Sequence, residues 1–302
     1  MELQHIFDQS VAQLKAHDLF YGHGVADAED EVILLLMHVM QVDFESLNQM
    51  QQALVTDEQQ QQIARLLTER VSSRKPMAYL IGMSVFAGLI FRVDERVLIP
   101  RSPFVSLIDE GFAPWVDMSS VSRVLDMCTG SGCIGLAVAH YFPDTQVDLV
   151  DLSEPALDLA RLNQDRLQLT DRTRCIHSDL FDSLEEERYD LIIANPPYVD
   201  EDEYRTLPDE YRHEPEMALV SDWQGMQLPV RILAAAAGYL SESGCLFLEV
   251  GYNDDVLNRC LPDVPITWVD LTAGGHGICV FSRRDLLKYQ PQFSAFLKAH
   301  VT

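Results

Sequence analysis

The chain has 302 residues, 47% of them hydrophobic and 23% charged. That length suits about two domains with a large buried core, and the balance excludes a disordered, collagen-like or disulfide-scaffold chain. The charge is unusual: 47 acidic against 22 basic residues leave a formal net charge of −25. A surface this acidic repels phosphate backbones and anionic lipid and draws basic partners. Six cysteines, at 128, 133, 175, 245, 260 and 279, form no CxxC pair and no metal-ligand spacing. They read as free thiols in a reducing compartment. No leader of basic then apolar residues opens the sequence, and no apolar run reaches a membrane span, so a cytoplasmic protein is expected.

Residues 1–75 read as a helical domain. Leu14, Phe20, Ile33, Leu36, Met37 and Met40 supply apolar helix faces. Thr56 with Gln59 makes a capping box for a helix running to about Ser72. The Gln-rich stretch 49–62 keeps helical spacing and reads as a solvated helix surface. Pro76 closes this region. Between 79 and 99, strand-like runs broken by Gly82 and Gly88 predict a hairpin connector, so 76–102 is read as a linker. From 103 to 302 short apolar strands alternate with segments long enough for helices. Strands are expected at 124–126, 147–151, 174–177, 191–194, 245–250, 266–270 and 278–282, and the tail Arg283 to Thr302 reads as helical. This is an α/β pattern with a largely parallel sheet covered on both faces.

Two motifs carry the chemistry. Val124-Leu-Asp-Met-Cys-Thr-Gly-Ser-Gly-Cys-Ile-Gly135 is a strand, a Gly-rich turn and a helix start, and fits G-x-G-x-x-G. Sixteen residues on, Asp151 ends the next strand, where a carboxylate can accept both hydroxyls of a ribose. Dinucleotides and S-adenosylmethionine share this pattern. Asp126 shifts the reading to the second, because an acid there would repel a pyrophosphate but suits a cationic methionyl group. Asp179, after a third strand, is placed to reach an adenine edge. Cys128 and Cys133 flank the turn and read as packed thiols.

The second motif is Tyr189-Asp-Leu-Ile-Ile-Ala-Asn-Pro-Pro-Tyr198, a fourth strand running into a stiff turn. The Asn195 side-chain oxygen and the Pro196 carbonyl can accept both hydrogens of one planar NH2 group. That aims the nitrogen's out-of-plane electrons at an approaching methyl, and Tyr198 can stack on the planar group. No strong base is needed before attack, so positioning supplies most of the rate.

The motif pair resembles the amino-methyltransferases built on a Rossmann-like seven-stranded class I sheet. These include N(6)-adenine and N(4)-cytosine DNA methyltransferases and the HemK-type protein N(5)-glutamine methyltransferases. The hairpin segment Ala78-Tyr-Leu-Ile-Gly…Phe86…Val93-Asp-Glu-Arg-Val-Leu-Ile-Pro-Arg101 extends the resemblance to the HemK-type family. It is strong over roughly 75 to 285 and looser over the N-terminal domain. Release-factor enzymes of that family continue Pro-Arg with Pro-Glu-Thr, whereas this chain reads Pro100-Arg-Ser-Pro103. That variant, with Asn195-Pro-Pro-Tyr-Val-Asp and Leu207-Pro…Glu210-Tyr-Arg-His-Glu-Pro215, is similar to the branch that methylates a glutamine of large-subunit ribosomal protein L-three.

The resemblance implies a helical substrate-recognition domain over 1–75, a β-hairpin linker over 76–102 and a methyltransferase domain over 103–302. It implies S-adenosylmethionine as methyl donor and S-adenosylhomocysteine as product. The donor would meet Asp126, the turn Thr129, Gly130, Ser131 and Gly132, then Asp151 with Leu152, Asp179 with Leu180, and Asn195. Asn195, Pro196 and Tyr198 would be catalytic, with Pro197 and Arg101 also on the acceptor. Two departures stand out: Gln224-Gly-Met226 replaces Asp-Gly-Leu, and Gly274-Gly-His-Gly277 replaces Gly-Gly-Asp-Gly. Neither is expected to touch the catalytic turn, and His276 reads as a loop residue rather than a base.

Positions 200 to 216 hold eight acids against Arg205 and Arg212. Beside the acceptor mouth, that run is expected to recruit a basic ribosomal protein. The same charge opposes an N(6)-adenine DNA substrate, which would call for Lys and Arg and a flipped base. Release-factor methylation is opposed by the 100–103 loop, and a donor-binding module without turnover by the intact 195–198 turn.

Overall fold

The computed structural model describes residues 1–185, 187–271 and 274–300. The chain divides into two units. The first comprises Met1–Glu95, Ile99–Arg101 and Pro208–Glu214; the second comprises Arg96–Leu98, Ser102–Leu207 and Pro215–Thr302.

In the first unit, helices α1 (Leu3–Lys15), α2 (Ala28–Met40), α3 (Phe44–Gln49), α4 (Asp57–Ser73) and α5 (Met77–Ile81) precede a hairpin of β1 (Met83–Phe86) and β2 (Leu89–Arg92). Local chemistry sets their ends. Asp27 caps α2 by accepting from the Glu29 and Asp30 amides, and the Thr56–Gln59 capping box opens α4 with both reciprocal bonds in place. Leu14, Leu36 and Met37 are buried as the periodicity requires, whereas Phe20 lies beyond the end of α1 and is 37% exposed. Ala87 and Gly88 both take positive φ, as a tight two-residue hairpin needs. This hairpin packs inside the first unit, and so does the distant segment 208–214, a discontinuity absent from a chain-order division at 75 and 102.

That returning segment brings buried acids. Arg70, 1% exposed, donates from Nε to Glu31 Oε1 at 2.6 Å and lies 3.5 Å from Glu210 Oε1. Arg74 donates to Glu210 as well. Glu214 accepts from the Ile99 amide and takes both arms of Arg101. A buried carboxylate without such partners costs several kcal/mol, on the order of 3–5 when one partner of a buried pair is removed. The acids of the 207–215 motif therefore hold the first unit together.

The second unit is a seven-stranded sheet. Its strands are β3 (Arg123–Met127), β4 (Gln146–Asp151), β5 (Thr173–His177), β6 (Tyr189–Ala194), β7 (Leu240–Glu249), β8 (Thr267–Trp268) and β9 (Ile278–Ser282). They lie in the order β5-β4-β3-β6-β7-β9-β8, with the first five parallel and the β7–β9 and β9–β8 pairs antiparallel. Leu191, Ile192, Ile193 and Ala194 are all fully buried, which is why β6 reads as an unbroken apolar run. Helices α6 (Phe104–Asp109), α7 (Cys133–Tyr141), α8 (Glu154–Arg166), α9 (Glu201–Tyr204), α10 (Gln227–Ala235), α11 (Asp254–Cys260) and α12 (Arg283–His300) complete the unit. The tail is helical to His300, and positions 301 and 302 lie outside the described residues. No described helix is long and apolar enough to cross a membrane.

Strand order positions the site. From β3 the chain moves outward to β4 and β5, then returns to place β6 on β3's other side. The switch point therefore lies between β3 and β6, where open α/β sheets bind ligands at the carboxyl ends. Met127 and Ala194 are in register there, so the Gly-rich turn and the Asn195 turn leave the sheet side by side.

Candidate active site

The Gly-rich turn is braced from below by Asp126. This side chain is 1% exposed, and its Oδ2 accepts from Thr129 Oγ1 at 2.5 Å and from the Gly135 amide at 2.9 Å. Gly135 is required for that approach, since a Cβ would lie 2.4 Å from Leu149 Cδ2 and 2.8 Å from Asp126 Cβ. Burial pushes the Asp126 carboxyl up to about 7, while the bonds from Thr129 and Gly135 pull the other way. Its Oδ1 is buried without a hydrogen-bond partner. Gly130, at φ +56, has no heavy atom within 4 Å of where a Cβ would stand. An orphaned acidic oxygen beneath a turn left open at Gly130 fits a cationic head such as the methionyl end of a methyl donor. Ser131 is buried and its carbonyl accepts from Asn163 Nδ2, and Gly132 opens α7.

Asp151, at the end of β4, is tied into the same turn. Its Oδ2 accepts from the Gly130 amide and its Oδ1 from the Ser153 amide, both at 2.8 Å. Burial raises its pKa against these backbone bonds. With the Leu152 amide also bonded to it, the carboxylate has about four lone-pair sites for three amides, which leaves room for a ribose hydroxyl. Leu152, beside it, is 55% exposed. Asp179 follows β5 and pairs with Arg231 Nη2 at 3.0 Å, while Leu180 is buried at φ +49. Arg231 carries no sequence signal, being a single cation on α10 with no motif around it. The Cys128 and Cys133 thiols are pushed up by burial, Cys133 to about 12, so they stay protonated and act as packing groups.

The second turn is clamped from several directions. Asn195 is partly exposed and Pro196 buried at the end of β6, with Pro197 and Tyr198 partly exposed. Tyr198 donates its hydroxyl to Glu249 Oε1 at 3.2 Å, and its carbonyl accepts from Asn253 Nδ2 at 2.6 Å. The loop holding Gln224-Gly-Met226 reaches this turn, contrary to the sequence expectation. Trp223, Gln224 and Gly225 all take positive φ, which folds the backbone so tightly that a Cβ on Gly225 would stand 1.9 Å from the Tyr198 oxygen. Glu249 and Asn253 carried no sequence signal, being a strand-end acid and a loop amide.

Two other groups have partners that the sequence did not show. Arg101 lies in the first unit, with Nη1 and Nη2 donating to Glu214 at 2.5 and 2.7 Å and its guanidinium 5.4 Å from the Tyr211 ring centre. A bidentate partner already engages the group expected on the acceptor. The acidic run also divides: Asp200 caps α9, Glu201 and Asp202 pair with Arg205, and Glu210 and Glu214 are buried in the first unit. Only part of it can face a partner. His276 is indeed a loop residue, its Nε2 3.1 Å from Asp254 Oδ1.

Comparison with known proteins gives consistent matches. The Methyltransferase small domain matches residues 110–209, and the PrmC N-terminal domain matches residues 10–82. A ribosomal protein uL3 glutamine methyltransferase of Francisella tularensis is 39% identical over 96% of this chain and 92% of its own length. One from Bordetella pertussis is 41% identical over 94% of this chain and 96% of its own. A solved methyltransferase of Pyrococcus furiosus is 16% identical with a TM-score of 0.47, over 74% of this chain and 98% of that one. With near-complete coverage at this identity, the chain belongs to the HemK-type family of protein glutamine methyltransferases, within its ribosomal protein uL3 group.

Proposed function

We propose that the protein transfers a methyl group from S-adenosylmethionine to the side-chain amide nitrogen of a glutamine in ribosomal protein uL3. The reading rests on its 39% identity over 96% of the chain to an enzyme named for that reaction. The intact 195–198 turn at the switch point supports it. S-adenosylmethionine, when bound, supplies a methyl group on a sulfonium, a strong electrophile with a good leaving group. Asn195 Oδ1 and the Pro196 carbonyl accept the two amide hydrogens and hold the acceptor nitrogen with its out-of-plane electrons toward the donor side. Tyr198 walls the planar amide. No residue has to remove a proton before attack, because the extra proton on the methylated nitrogen can leave to water afterwards, so the protein's contribution is orientation. In the same reading the helical part meets the acceptor protein and the sheet holds the donor.

Asp151→Ala should weaken S-adenosylmethionine and S-adenosylhomocysteine alike, by about 1.5–3 kcal/mol for lost charge-assisted hydrogen bonds. Calorimetry with both ligands checks this. A loss confined to the methyl donor would place Asp151 at the sulfonium instead of the ribose.

The activity is tested by giving the protein labelled donor with purified uL3, a peptide release factor and DNA in separate reactions. Label is expected on a glutamine of uL3 alone; label on the release factor or on DNA would replace this reading with another branch. With 47 acids against 22 bases, encounter with a basic acceptor should be salt-sensitive. Raising ionic strength from about 0.01 to about 0.15 M shortens the Debye length from about 30 to about 8 Å. kcat/KM should fall while kcat holds; an unchanged kcat/KM would remove charge from the recognition argument.

A further inference from the structure

The catalytic turn has a buried acid behind it that no motif announces. Glu249 ends β7 and is 4% exposed. Two hydroxyls supply it: Ser102 Oγ donates to Oε2 at 2.5 Å, and Tyr198 donates to Oε1 at 3.2 Å. Ser102 Oγ is itself held, accepting from the Phe104 amide at 3.1 Å. Ser102 thus joins the loop before α6, through the end of β7, to the ring of the 195–198 turn.

We propose that Glu249 is a positioning residue for the methyl-transfer step, oriented by Ser102 and acting through Tyr198. The inference rests on the function proposed above and adds a residue pair to it. The Tyr198 hydroxyl donates into the Glu249 carboxyl oxygen, and that bond fixes both ring and hydroxyl direction. Other contacts leave the ring little room: Gly251 backs it so closely that a Cβ there would lie 2.7 Å from the ring, and Gly225 and Asn253 hold the Tyr198 carbonyl. Gly251 confines the phenol from one side, and the bond to Glu249 sets the direction of its hydroxyl. A misplacement of about 1 Å at a reacting amide can cost on the order of a hundredfold in rate, so a carboxylate that aligns the wall of the amide site has leverage without touching the substrate.

Glu249→Gln is the informative change, because an amide can donate as well as accept and no longer dictates the phenol's direction. It should lower kcat on uL3 about 10- to 100-fold, with S-adenosylhomocysteine affinity within about twofold of the unmodified protein. Tyr198→Phe should lower kcat by a similar factor. In the Tyr198→Phe background Glu249→Gln should add less than about a threefold loss, since its route to the substrate is already gone. Ser102→Ala should give a smaller loss that also disappears in that background, and it serves if Glu249→Gln folds poorly.

Fluorotyrosine labelling gives a readout without turnover. The Tyr198 fluorine resonance, assigned by its absence in Tyr198→Phe, should shift in Glu249→Gln and in Ser102→Ala. Losses that multiply independently, or a Tyr198 resonance unmoved by either change, overturn the positioning role. Failure of the unmodified protein to methylate uL3 is a separate result: it overturns the assigned activity and, with it, the role of this pair in that reaction.

Discussion

Asn195→Ala is expected to lower kcat at least about a hundredfold while donor affinity stays within about twofold. Asn195 is the first residue beyond β6, on a strand whose last four residues are fully buried, so its backbone is set by the sheet. Removing its amide leaves that frame intact and deletes one of two acceptors for the acceptor amide. A positioning contact of this kind is worth a few kcal/mol, about 2.7 for a hundredfold, and is expressed in the transition state. Asn195→Asp should also be poor, although a carboxylate can still accept. It puts a negative charge beside the sulfonium and stabilises the ground state that the reaction must leave. Single-turnover rates with labelled donor, alongside calorimetry with S-adenosylhomocysteine, measure both parts. Near-normal turnover by Asn195→Ala would remove the orientation mechanism.

The second large effect is on stability. Arg70→Ala should destabilise the fold by about 3–5 kcal/mol at pH 7, because it strands Glu31 in the first unit. Glu31 is 2% exposed and Arg70 is its ion-pair partner at 2.6 Å, whereas Glu210 keeps Arg74. The pH dependence has a definite sign. Burial already raises the Glu31 pKa, and Arg70 is what pulls it back down. Without Arg70 the folded-state pKa rises further above the unfolded value. The folded protein then holds the extra proton, so stability falls as pH rises through that folded pKa. The Arg70→Ala penalty should therefore shrink between pH 7 and pH 5. Urea unfolding at both pH values reads it. A penalty below about 1 kcal/mol at pH 7, or one that grows toward pH 5, contradicts the role. Pairing Arg70→Met with Glu31→Leu should recover much of the loss, since a buried ion pair replaced by apolar groups is often neutral.

Much of the fold was legible in the order of residues alone. Strand positions came from short apolar-rich runs of three to six residues, whereas Pro76 did not end the helices: it caps α5 (Met77–Ile81), and the hairpin starts only at Met83. The start of α4 came from Thr56 and Gln59, three residues apart and bonded as predicted. These signals are local, because capping, period and turn conformation depend on neighbours within about one helical turn. The two candidate turns were legible for the same reason. Each packs its chemistry into a few consecutive residues at a strand end, and a parallel α/β sheet brings such ends to one side.

What the sequence could not show is what those turns lean on. The Tyr198–Glu249 bond joins residues 51 apart, and Ser102–Glu249 joins residues 147 apart. Glu210 and Glu214 read as part of an acidic surface run until the chain's return at 208–214 buried them against Arg70, Arg74 and Arg101. The stretch 224–226 read as clear of the 195–198 turn until the fold set the Gly225 backbone against the Tyr198 carbonyl. A charge or glycine in sequence has the same letter whether water or a buried partner faces it. Burial decides between them, and burial is a property of packing among distant segments.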